Sequence, residues 1–265
     1  MLKYIIPFSL LVLTACSGEP KDQSKADKTD KSVVVSFQNE VEMNNRMVEI
    51  DALVGQNDKY ATSLNYMKED GTSIKVLAYL NKNNEILKIE EVFTDVSTQE
   101  LGSILYYMNN GKPFITRELL DVPVAGGDKR QFLDRVSYYD AKGKVIKTKE
   151  RRADFQDITE SMAYKPVKSN PVRIDRALRA LNAEKEFETT FQGFAYQEAL
   201  TYLIVGENKE NGFTSSLKCD FKDGLLTTLM NKPQTQLGKP LNVTFVVEED
   251  QGLEYQVYTG GSFKK

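Results

Sequence analysis

Apolar residues recur on a helical period across residues 39–54. Met43, Met47, Ile50 and Val54 stand at i, i+4, i+7 and i+11 and make one stripe, with Gly55 as the expected C-cap. From Tyr60 the period changes to two, and strand-like runs alternate with turn signals at Lys68–Gly71, Asn81–Asn84, Asn109–Gly111 and Lys142–Gly143. A repeat emerges: Tyr79-Leu80, Tyr106-Tyr107 and Tyr138-Tyr139 are each followed, five residues after the first of the pair, by a residue that tolerates positive φ: Asn84, Gly111 and Gly143. Ile86-Leu87, Pro113-Phe114 and Val145-Ile146 begin the returning strands. The unit is a strand, a tight turn and a returning strand, and three in series predict an antiparallel meander with the N-terminal helix on one face. Asp121–Gln131, with Pro123 and Gly126-Gly127, is expected to be a long hairpin connection.

The alternation stops over residues 153–171, between Arg152 and Pro171, which marks a connector. Asn170-Pro171 is expected to open a helix that Arg176–Leu181 continues. Beyond it the pattern predicts strands at Phe187–Tyr196, Leu200–Glu207, Phe213–Phe221, Pro240–Glu248 and Leu253–Tyr258, with a helix at Asp223–Met230 between the third and fourth. Gly193 offers a bend in the first of these strands. The expected fold is mainly β: a helix and hairpin-repeat domain over 33–153, a connector with a helix over 154–182, and a five-stranded barrel-like domain over 183–265.

The N-terminus follows another pattern. Lys3 precedes an apolar stretch from Tyr4 to Leu13, too short to span a bilayer, which needs roughly 20 residues, and suited to the core of a signal peptide. Leu13-Thr14-Ala15-Cys16 closes it. This run resembles the lipobox of bacterial lipoproteins. The resemblance implies a signal peptide over 1–15, cleavage before Cys16 and acylation of Cys16. Each buried CH₂ contributes about 0.8 kcal/mol, so two or three chains anchor stably. Residues 17–32 are almost wholly polar and form a tether. Gly18 stands where inner-membrane lipoproteins commonly carry Asp, which favours the outer membrane of a Gram-negative cell; Glu19 and Asp22 are similar to acidic cell-surface signals, or belong to a generic tether.

Two further resemblances bear on shape. The Tyr-Tyr-x-x-x-Gly-Lys units at Gly111-Lys112 and Gly143-Lys144 loosely resemble MORN-type hairpin repeats, although Asn84-Glu85 departs from the pattern. The order of three strands, a helix and two strands, with Leu237–Phe245 re-entering the sheet, resembles an OB-fold. That resemblance implies a ligand surface over the second and third strands, where Tyr202, Phe213 and Lys218 are the candidates. Leu200–Val205 is apolar on both parities, so Tyr202 reads as core rather than contact.

Composition narrows the chemistry. The chain has no histidine, which excludes Ser-His-Asp and Cys-His catalysis and the usual His-bearing zinc sites. Of two cysteines, one is assigned to lipid, and Cys219 reads as a small strand residue rather than a reactive thiol. A net charge of −3 gives no sign of nucleic-acid binding. The 13 tyrosines read as filling one sheet face, or as a stacking surface. Lys142–Arg152 is a basic stretch in which Lys147 and Lys149 are expected to share a solvated face, or to bind an anionic headgroup or glycan. Glu90-Glu91 and Glu248–Asp250 are carboxylate runs available to a hydrolase, but adjacent strand residues face opposite ways. The sequence therefore predicts no enzyme, cofactor or metal. It predicts a membrane-anchored envelope protein that binds a protein or glycan partner. The alternatives are an inhibitor or immunity-type lipoprotein acting through Asp121–Gln131 and a carboxylate-based glycan hydrolase.

Overall fold

A computed structural model describes residues 37, 39–56, 59–124, 126, 128–169, 174–250 and 252–265. The expected signal segment, Cys16 and the tether lie outside the described residues, as do Asn170 and Pro171 of the expected helix start. The fold is mainly β and largely antiparallel.

Helix α1 (Glu40–Gln56) starts where Asn39 caps it. The Glu42 amide donates to Asn39 Oδ1 at 3.0 Å, and Asn39 Nδ2 donates back to Glu42 Oε1 at 3.3 Å. Gly55 lies within the last helical turn, not beyond it as a cap. The chain then forms β1 (Tyr60–Thr62), β2 (Tyr66–Met67), β3 (Ser73–Leu80), β4 (Ile86–Asp95), β5 (Glu100–Asn109), β6 (Lys112–Pro123), β7 (Arg130–Tyr139) and β8 (Val145–Ala153). Strands β2 to β8 run as an antiparallel meander, with β1 paired to β3.

The repeat in the sequence is a repeat in geometry. Hairpins β3–β4, β5–β6 and β7–β8 turn at Asn84 (φ 66°), Gly111 (φ 75°) and Gly143 (φ 82°). Asn81 Oδ1 and Asp140 Oδ1 play the same part in the first and third turns, each accepting two backbone amides of its loop. A β-bulge falls beside the tyrosines in all three hairpins, at Tyr79/Leu80, Tyr107/Met108 and Tyr138/Tyr139. The expectation that the tyrosines fill one sheet face is corrected, because neighbouring residues of a strand point to opposite faces. Tyr106 joins the core on one side, while Tyr107 and Tyr138 join the cluster under α1 on the other. Their hydroxyls reach Glu91, Asp51 and Asn44. Buried in this way, they are not a stacking surface. The Asp121–Gln131 connection is also shorter than expected: Asp121–Pro123 pair in register with Phe132–Arg130, and the Arg130 guanidinium bonds Asp121.

The connector adds to the sheet. After α2 (Gln156–Ser161), β9 (Lys165–Pro166) pairs with β8, and α3 (Asp175–Asn182) packs on β3. A 3-10 turn (Lys185–Phe187) leads into β10 (Thr190–Gln197), β11 (Leu200–Gly206), β12 (Thr214–Lys218), α4 (Gly224–Asn231), α5 (Pro233–Gln236), β13 (Leu241–Asp250) and β14 (Leu253–Phe263). Here β10, β11 and β12 are antiparallel neighbours, and β12 meets β14 in parallel at Lys218–Val257. Strand β14 pairs antiparallel with β13, and a bridge between Thr190 and Pro240 brings the path back beside β10. Helix α4, capped by Asp223, buries Leu225, Leu226 and Leu229.

One apolar cluster runs through both parts of the chain, from Ile74, Val76 and Tyr106 through Ala177 and Phe187 to Leu203, Leu217 and Tyr258. Tyr66 joins them directly. Its ring lies 4.9 Å from that of Phe187, and its hydroxyl donates to the Phe187 carbonyl at 2.8 Å.

Candidate functional site

The inward face of β11 and β12 is set by Leu203, Val205 and Leu217, which are fully buried, and by Ser215. Alternation therefore places Tyr202 and Ile204 of β11 on the outer face with Thr214, Ser216 and Lys218 of β12. The register sets Tyr202 opposite Lys218, Ile204 opposite Ser216 and Gly206 opposite Thr214. Gly206 is needed for the closeness of the pair, because a Cβ there would lie 2.3 Å from the Phe213 carbonyl oxygen.

Strand β12 has two partners on its far side. Its first residue, Thr214, bridges to Met67 of β2, and its last, Lys218, bridges to Val257 of β14. The strands splay between these points, and Gln256 stitches the gap. Its Oε1 accepts from the Asn65 amide at 2.8 Å, and its Nε2 donates to the Ser63 carbonyl at 3.0 Å. Lys75 and Glu254 pair across the same seam. The result is a groove of about 320 Å³. Tyr202, Ile204, Ser216 and Lys218 form its floor, Asn65, Met67, Lys68 and Glu69 one wall and Glu254–Gln256 the other.

The electrostatics of the groove are mixed. Lys218 is held by Asp220 at 3.0 Å, which raises its pKa. Lys68 stands over the Phe213 ring, 4.7 Å from its centroid. The rest of the lining is hydroxyl, amide, aromatic and apolar, with the carboxylates of Glu69 and Glu254 on the two walls.

Two of the three candidates from the sequence, Tyr202 and Lys218, line this groove; the expectation that Tyr202 is core is corrected, because it is only half-buried on the outer face of β11. Phe213 does not line it; its ring packs against Phe187 at 5.0 Å. The wall residues Asn65, Met67 and Gln256 had no sequence signal, since a one-residue bridge between β12 and β2 joins positions far apart in the chain. Cys219 follows β12 half-buried, and burial pushes its thiol pKa up, away from reactivity. Glu90 and Glu91 are engaged separately: Tyr79 donates to Glu90, while Tyr106 and Arg176 hold the buried Glu91. Glu248, Glu249 and Asp250 are exposed at the end of β13.

No protein-family model, no curated protein and no solved structure matches this chain.

Proposed function

We propose that this is a lipid-anchored protein of a Gram-negative envelope that binds a polar, largely uncharged ligand, a glycan, without chemically converting it. Acyl chains on Cys16 hold it to the outer membrane, residues 17–32 act as the tether, and the hairpin segment is a scaffold for the binding half. The lipobox pattern and the polar run after it support the anchor.

Residues 183–265 are read as an OB-type barrel. Three features support this: the path β10-β11-β12-β14-β13, the parallel contact between β12 and β14, and α4 between β12 and β13. In such folds the second and third strands carry the ligand surface, and here these are β11 and β12. Fold analogy suggests a place but not a ligand; the lining argues for the ligand. Tyr202 and Ser216 offer hydroxyls and Asn65 an amide, while Lys218 and Glu254 are already engaged by Asp220 and Lys75. The observation that carries the reading is the side-by-side placement of Tyr202, Ser216 and Lys218 at the centre of that outer face.

The test is a photo-crosslinking residue placed at Ser216 in the intact envelope, with products read by mass spectrometry. Crosslinks to glycan from Ser216, lost in Tyr202→Ala and not seen from the exposed Ile146 of β8, are expected. Equal labelling from Ser216 and Ile146 would count against the groove, and a single captured protein would replace the glycan by a protein partner. Run in Cys16→Ser, the same experiment should find the protein in the soluble fraction; retention in the membrane would refute the anchor.

A further inference from the structure

A second cavity, of about 330 Å³, lies between α1 and the face of β6, β7 and β8. Arg117, Lys149 and Arg151 line it, together with Asn44, Tyr138 and Tyr164, and no carboxylate is among the lining residues. Its one buried acid, Asp134, lies alongside and is saturated. Arg117 donates to it from Nε and Nη2 at 3.0 and 2.9 Å, Arg151 from Nε and Nη2 at 2.9 and 2.7 Å, and the Tyr164 hydroxyl at 2.7 Å. One carboxylate thus serves two guanidiniums.

Lys149 is held with its ammonium 5.0 Å from the Tyr138 ring centroid and 5.1 Å from that of Tyr164. Its acidic partner, Glu40, enters from α1 and is shared with Lys147. Around the cavity, four cations therefore face two carboxylates. Among the described residues no protein group accepts from Arg117 Nη1, which is not buried and opens to solvent, with 26% of the side chain exposed. Placing this excess of positive charge under a helix is unfavourable unless an anion joins it.

We propose that this cavity is a binding site for a small organic anion, which presents a carboxylate to Arg117 and Lys149. A carboxylate suits a planar guanidinium whose remaining N–H groups are free to donate in pairs. Met47, Val136 and the two tyrosine rings give the rest of the cavity an apolar wall, and its volume suits a molecule with a carbon body better than a bare inorganic ion. The site is separate from the β11–β12 groove, and neither depends on the other.

The test is isothermal titration of the purified full chain with D-glucuronate, N-acetylalanine and inorganic phosphate in parallel. At least one of the two carboxylates should bind in the micromolar to low millimolar range, and more tightly than phosphate. Lys149→Gln removes one charge-assisted contact and should weaken binding roughly ten- to hundredfold. Should Lys149→Gln fail to fold, Met47→Trp fills the cavity from α1 without removing charge and should abolish binding. Absence of binding by both carboxylates, phosphate binding as tightly as they do, or carboxylate binding unchanged in both variants would each overturn the proposal.

Discussion

Asp134 shows how a single side chain organises one end of the sheet. Its side chain is fully buried, and desolvation pushes its pKa up; the bonds from Arg117, Tyr164 and Arg151 overcome that and hold it below its ordinary value. Burial, and after it the same carboxylate, raises the Tyr164 hydroxyl to about 12. Replacing a buried, multiply bonded acid leaves its cationic partners uncompensated. Asp134→Asn should therefore destabilise the protein by about 3 kcal/mol, the low end of the range for broken buried pairs, because Arg117 keeps part of its side chain in water. The check is the denaturant midpoint at unchanged m-value. A shift no larger than that of a surface substitution would mean that the guanidiniums find other partners.

At the scale of elements, α1 is attached by two kinds of contact. Met43 and Ile50 are buried against Tyr107, Ile115, Val136 and Tyr138. Glu40 adds a charged contact: hydrogen bonds from Lys147 and Lys149 lower its pKa from 4.5 to about 2. A carboxyl whose folded value lies below its unfolded value contributes stability that is present above 4.5 and lost as the pH falls from 4.5 toward about 2. Glu40 is half-buried and still screened by solvent, so the contribution is about 0.5–1 kcal/mol. Amide protection in α1, corrected for the intrinsic exchange rate, should fall across that window in the native protein more steeply than in Glu40→Gln. Identical pH profiles would show that the apolar contacts alone hold the helix. This charged contact also marks a limit of reading the sequence. The three hairpins were legible because their turns are local: Asn84, Gly111 and Gly143 supply the positive φ that each loop needs. The amphipathic helix was legible from its stripe. The Lys147–Lys149 alternation, by contrast, looks the same whether its face meets water or an acidic helix, so the contact of α1 with β8 and the cavity beneath it were invisible, although a helix on one face was expected. Tyr202 read as core for a related reason. Ile204, apolar but facing the groove, removed the alternation that would have distinguished the faces of β11.

At the scale of the whole molecule, the two β-rich parts are joined by more than the connector. Tyr66 bonds the Phe187 carbonyl, Met67 pairs with Thr214, Gln256 reaches Asn65 and Ser63, and Arg176 meets Glu91. Beneath these contacts, one apolar cluster contains residues from β3 to β14. Two regions that share a core cannot each unfold without exposing the other's buried surface, so they should unfold together. Leu217 lies in the second half and is fully buried within that cluster. Leu217→Ala leaves a cavity there and should cost about 3 kcal/mol. If the halves are coupled, calorimetry should show one transition moved to lower temperature. Hydrogen exchange should then show β4 and β5 losing protection together with β11, although neither strand touches the mutated site through sheet pairing. Two transitions, with only the later residues affected, would mean that the shared cluster is a contact between independent domains. The groove between β2, β12 and β14 would then open and close with that contact, and ligand bound in it should bring the two transitions closer together.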